Sequence, residues 1–162
     1  MNSQNNQNTS PFDLPKEIKM FRHKFTGRAE FSQVDSFGVV HNLQYFYFLE
    51  WARTDYLRAI GLKLNPMTFL KEYPIMTVHS EIDYFAPLKF NELYVVLTRV
   101  EFIKNSSLGF KNMIINGNSE LIVRGSSILV NVNPKTLESV RIPDDFRQLI
   151  SNFEGENVKF LD

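Results

Sequence analysis

No cysteine occurs in the chain, which excludes a disulfide framework, a thiolate metal site and a cysteine nucleophile. The histidines His23, His41 and His79 lack the spacing of a metal motif, so no metal is expected. No charge of one sign dominates: 18 basic residues balance 18 acidic ones. A nucleic-acid surface needs a basic excess on one face, and this chain has none to offer. No apolar run approaches the roughly 18 residues that a membrane span requires. Residues 1–15, MNSQNNQNTSPFDLP, lack both the basic and apolar regions of a secretory signal and the arginines of a transit peptide. The expected location is the cytoplasm.

What is there begins with length. At 162 residues the chain suits one domain with a real core. Residues 1–15 are too polar to offset their own ordering entropy and read as a disordered tail. The domain is expected over residues 16–155. Phenylalanine occurs 15 times, enough for a thick core.

Residues 35–61 organise the rest. Asp35-Ser36-Phe37-Gly38-Val39-Val40-His41-Asn42 is a loop with an acid, a glycine and polar side chains. Leu43–Gly61 then reads as a helix of about five turns. Tyr45, Phe46, Tyr47, Phe48, Leu49, Trp51 and Ala52 cover nearly every direction around its axis, and a helix apolar all round is a buried one. Asn42 is placed to cap the start and Arg58 suits the negative pole at the end. Free N–H groups and the positive pole at the first turn would favour an oxyanion there.

Around this helix the pattern is that of strands. Met20–Phe31 alternates, with a bulge expected at Gly27. Ile75–Phe85, Glu92–Lys104, Leu108–Ile115 and Leu121–Val132 follow, punctuated by Pro87, Asn116-Gly117-Asn118 and Asn133-Pro134. Met67–Tyr73 suggests a short helical piece, Asp144–Phe153 an amphipathic helix, and the end a polar tail. Short turns between residues 92 and 132 mean an antiparallel meander. The expected class is α+β: a five-stranded antiparallel sheet wrapped around a long central helix.

The string Asp35…Gly38-Val39-Val40-His41-Asn42, Tyr45, Glu50-Trp51-Ala52-Arg53 and Leu57…Gly61 resembles the signature of hotdog-fold thioesterases, in particular the 4-hydroxybenzoyl-CoA thioesterase group. Tyr84-Phe85-Ala86-Pro87, Ser106-Ser107…Phe110 and Val140-Arg141-Ile142-Pro143 are similar to that group too. The resemblance covers about residues 20–150. It implies hydrolysis of an acyl thioester carried by coenzyme A or an acyl carrier protein. It implies no cofactor beyond the coenzyme A of the substrate, and active sites at the interface of a homodimer or tetramer.

It also implies that Asp35 is base or nucleophile and that the Asn42 N–H serves an oxyanion hole. His41 is a third catalytic candidate: it could orient water or substrate, or be structural. Gly38, Val39, Tyr45, Phe46, Ser106 and Ser107 are the candidate substrate contacts. Lys104, Lys111 and Arg124 are candidates for the phosphates of coenzyme A, although strand cations are usually just solvated. Glu50 and Arg53 are spaced to pair. Two other functions compete: a non-catalytic acyl-CoA binder or sensor, and a hydroxyacyl-thioester dehydratase. The dehydratase reading is faint because the His-Phe-Pro type of motif is missing.

Overall fold

A computed structural model describes residues 13–161. Of the tail expected over residues 1–15, residues 1–12 lie outside the described residues. Asp13 caps a short helix α1, Leu14–Ile18, by accepting the Lys16 amide at 3.3 Å.

The sheet consists of β1 (His23–Arg28), β2 (Ile75–Tyr84), β3 (Leu93–Ile103), β4 (Ser107–Asn116), β5 (Leu121–Asn131) and β6 (Lys159–Phe160). The first five run antiparallel in the order β1-β3-β4-β5-β2, with the central three forming the expected meander. β6 is unforeseen. Phe102 and Ile103 extend β3 beyond the reach of β1, and Lys159 and Phe160 pair with them in parallel.

The central helix α2 (Gln44–Ala59) lies across one face of the sheet. Its buried side is set by Tyr45, Phe48, Leu49, Ala52, Tyr56 and Leu57, spaced to fall on one stripe. Each large side chain there contributes about 1.5–3 kcal/mol through burial. Phe48 stacks on Tyr94 of β3 with centroids 4.5 Å apart. Gly27 of β1 is the reason Tyr94 fits, since a Cβ there would lie 2.3 Å from its ring. The bulge expected at this glycine is absent: β1 keeps its register against β3 throughout.

The helix is not buried all round. Tyr47 is 57 % and Trp51 42 % exposed, and Phe46 is exposed as well. The sheet of one chain covers one side of α2 and leaves the other open. Sequence periodicity registers the apolar side chains without saying how many faces are covered.

Helix α3 (Asp144–Glu154) closes the far end. Phe146 and Ile150 pack with Tyr56, Leu57 and Val100, and Glu154 is buried at the helix end, taking hydrogen bonds from Tyr56 and Val100. On the opposite face of the sheet, Leu14 and Ile18 of α1 pack against Phe21, Leu97 and Met113, and Glu17 pairs with Arg124 at 2.6 Å. Among the described residues no helix is long and apolar enough to cross a membrane. The short piece expected at Met67–Tyr73 is a single wide turn, Thr68–Glu72.

Candidate active site

The loop between β1 and α2 is held by its backbone. Asp35 and Gly38 close a tight turn through Gly38 N–H to the Asp35 carbonyl, 2.9 Å, and Asp35 N–H to the Val39 carbonyl, 2.9 Å. Gly38 has φ +73°, a left-handed conformation that costs a residue with a Cβ roughly 1–2 kcal/mol. The loop is then stitched to the segment after β2. Val40 N–H donates to the Leu88 carbonyl at 2.8 Å, and Phe90 N–H to the Gly38 carbonyl at 3.0 Å.

From Val40 to Gln44 the backbone donors can be followed one by one. His41 N–H reaches the Gln33 carbonyl and Gln44 N–H the His41 carbonyl, both at 2.9 Å. Leu43 N–H donates to His41 Nδ1 at 3.3 Å. The Asn42 N–H has no acceptor among the described residues. Asn42 is not the cap that its residue type suggested. Leu43 occupies that position, and no side chain caps the helix there.

A cavity of about 500 Å³ opens beside this turn. Asp35, His41, Asn42, Tyr45 and Tyr84 supply its polar lining, with Val40 and the Phe85–Pro87 segment completing the wall. Asp35 is half-buried. Its Oδ1 accepts the Phe37 amide at 2.8 Å, while Oδ2 has no partner among the described residues. Tyr84 Oη donates to the Asn42 carbonyl at 3.0 Å, and Tyr45 Oη accepts the Leu88 amide at 3.2 Å. The two rings meet edge to face at 5.5 Å. Burial pushes both phenols above their ordinary value of 10.0, so both remain protonated at neutral pH.

The sequence candidates divide into groups. Asp35, His41, Asn42 and Tyr45 come together around the cavity. Gly38 and Val39 shape the loop from behind, Val39 through a bridge to Lys89. Phe46 faces a separate cleft of about 220 Å³ between α2 and the β2–β5 pair, shared with Glu50, Arg53 and Ser126. Arg53 pairs there with Glu50 and reaches Ser127 Oγ at 3.4 Å.

Ser106 and Ser107 lie at the β3–β4 turn, at the Ile75–Asn131 end of the sheet. The cavity is at the other end, where Tyr84 pairs with Val123. Lys111 and Arg124 are in ion pairs with Glu101 and Glu17, and Lys104 lies over the Phe102 ring. Tyr84 is the participant that residue-level reasoning passed over. Its signal was the Tyr84-Phe85-Ala86-Pro87 string after an alternating strand. Among the described residues no three His, Asp or Glu side chains gather as a metal site would need.

Residues 29–150 match the thioesterase-like superfamily. The acyl-CoA thioesterase YbgC of Haemophilus influenzae is 27% identical over 125 residues, spanning 76% of this chain and 90% of that protein. The 1,4-dihydroxy-2-naphthoyl-CoA thioesterase Slr0204 from Synechocystis superposes with a TM-score of 0.74 at 18% identity, covering 80% of this chain and 96% of that one. A thioesterase from Thermus thermophilus, solved with coenzyme A and zinc, gives 0.74 at 22% identity, with 85% and 98% covered.

Proposed function

The chain belongs to the thioesterase-like superfamily, and from that membership we propose a hydrolase in which Asp35 and the Asn42 amide act on one thioester carbonyl. The reaction is cleavage of an acyl-CoA thioester to the free acid and the thiol. An acyl carrier protein would present the same thioester chemistry. As base, the Asp35 carboxylate takes a proton from water, and the hydroxide adds to the thioester carbon. The C–S bond then breaks and the thiolate takes up the proton. As nucleophile, the carboxylate adds to that carbon itself, thiolate leaves, and water hydrolyses the resulting anhydride. On either route negative charge develops on the carbonyl oxygen, and a fixed N–H donor lowers that barrier.

One observation carries this reading. Of the backbone donors from Val40 to Gln44, only the Asn42 N–H lacks an acceptor among the described residues, and Asn42 lines the same cavity as Asp35 with its free Oδ2.

The active unit of this reading is a two-fold dimer joined through β2. That strand is one edge of the sheet and exposes Met76 and Val78; an unpaired apolar edge favours pairing with another strand. Antiparallel pairing about a two-fold brings the Ile75 end of one β2 to the Tyr84 end of the other. Each β3–β4 turn, with Ser106 and Ser107, thereby moves toward the opposite cavity, where a pantetheine chain would pass.

Thiol release from a panel of acyl-CoA substrates, followed with a thiol reagent, tests the reading. The protein should release thiol from at least one, and Asp35→Asn should lower turnover by about 10²-fold or more with KM little changed. Near-normal turnover in Asp35→Asn overturns the mechanism. Binding without release on every substrate makes the protein an acyl-CoA binder.

A further inference from the structure

We infer that Tyr84 is a positioning residue of this reaction. Its hydroxyl and the His41 imidazole clamp the two sides of the Asn42–Leu43 peptide and so hold the Asn42 N–H in place for the thioester oxygen. The inference rests on the hydrolase reading above.

The clamp follows from which groups belong to which peptide. The carbonyl of Asn42 and the N–H of Leu43 share one planar unit. Tyr84 Oη donates to that carbonyl at 3.0 Å, and the N–H donates to His41 Nδ1 at 3.3 Å. The preceding peptide joins the His41 carbonyl to the Asn42 N–H. Its carbonyl is held by Gln44 N–H at 2.9 Å, which leaves the Asn42 N–H as its free end.

Rotation of the Asn42–Leu43 plane would swing the neighbouring plane through their shared Cα, so both bonds bear on where the Asn42 N–H points. No side chain caps the start of α2, and these two contacts fix the peptide that leads into it.

Tyr84 is well built for the task. It ends the edge strand β2, and its ring is braced edge-on by Tyr45 at 5.5 Å. Its phenol, ordinarily 10.0 and raised further by partial burial, is protonated at neutral pH, so the donor persists there. His41 is oriented through the same peptide, by the Leu43 N–H on its Nδ1. A neutral imidazole whose Nδ1 accepts an amide proton carries its own proton on Nε2, so the ring offers the cavity a donor and not a base.

Tyr84→Phe keeps the ring and removes only the hydroxyl. On the acyl-CoA that wild type cleaves fastest, kcat should fall about tenfold, between the effect of one ordinary hydrogen bond and that of a lost oxyanion donor. KM should stay within about twofold, because the ground state gains little from the clamp. The discriminating readout is the infrared band of a ¹³C-labelled thioester carbonyl bound to Asp35→Asn protein. An aligned oxyanion donor lowers that frequency, and adding Tyr84→Phe should return it toward the free value.

Fluorotyrosine introduced at position 84 keeps the shape and donates more strongly, and should lower the band further; it also serves if Tyr84→Phe folds poorly. A kcat within twofold of wild type, or a band that neither change moves, overturns the inference. If Asp35→Asn is dead while Tyr84→Phe is normal, only the clamp falls. If Asp35→Asn keeps its turnover, the hydrolase mechanism falls first.

Discussion

Glu154 is 0 % exposed, yet it carries the hydrogen bonds that tie the end of α3 to the core. Its Oε1 accepts from Tyr56 Oη at 2.8 Å and from the Val100 amide at 2.9 Å, while Oε2 is without a partner among the described residues. Glu154→Ala strands both donors in the interior. At about 1–3 kcal/mol for each, the loss should be about 2–6 kcal/mol, with any cavity adding to it. Glu154→Gln keeps an oxygen for both donors. Its amide nitrogen finds no acceptor, but it removes a buried charge, so the net cost should stay below about 2 kcal/mol.

The pH dependence adds an independent check. Burial is the largest influence and raises the Glu154 carboxyl above its ordinary 4.5, against the opposing pull of the Val100 amide, the Tyr56 hydroxyl and the charges of Arg99 and Arg22. An acid whose folded value lies above its unfolded one favours the fold while protonated. That contribution is complete below the unfolded value and is lost as pH rises through the folded one.

Glu154→Gln cannot titrate, so it should gain on wild type as pH is raised above about 4.5. Urea unfolding of all three proteins at several pH values between about 4.5 and 8 measures this directly. An alanine variant that loses less than about 1 kcal/mol would refute the argument. So would a gap between glutamine and wild type that stays flat or moves the other way with pH.

Two further predictions concern the sheet. Gly27→Ala places a methyl 2.3 Å from the Tyr94 ring, a ring already stacked on Phe48. Overpacking of this kind costs about 1–3 kcal/mol, so calorimetry should show a clearly lower Tm; an unchanged Tm would mean that the ring moves aside freely. Val78, 61 % exposed on β2, lies at the proposed junction of two chains. Val78→Asp brings like charges together across a two-fold and should move the mass by light scattering from dimer toward monomer, with loss of thiol release. A monomeric wild type would already contradict the β2 junction.

Much of this fold is legible in the residues themselves. β2 to β5 begin and end within a residue or so of where alternation, Pro87, Asn116-Gly117 and Asn133-Pro134 place them, because such strands combine a two-residue period with strong turn chemistry. α1 and β6 escape notice for a common reason. Five residues containing a proline, and two residues after a polar stretch, are too short to carry any period, and they form because existing surfaces receive them.

At the site, Asp35, His41, Asn42 and Tyr45 are close in sequence and converge on the cavity. Tyr84 arrives from a strand 42 residues away from Asn42, a contact made by tertiary pairing alone. Ser106 and Ser107 illustrate the converse. A motif can stand in the right order along the chain and still fold to the far end of its own sheet.

The position of α1 has a consequence for the order of folding. Its apolar residues rest on Leu97 and Met113, and Glu17 meets Arg124 across 107 residues of chain. None of that surface exists until β3, β4 and β5 have paired. Although α1 precedes all three strands in the chain, it is therefore among the last elements to settle, because loop closure over such a span is costly until the strands are there to reward it. Until then the outer face of the sheet, with Leu97 and Met113 at its centre, remains open to water.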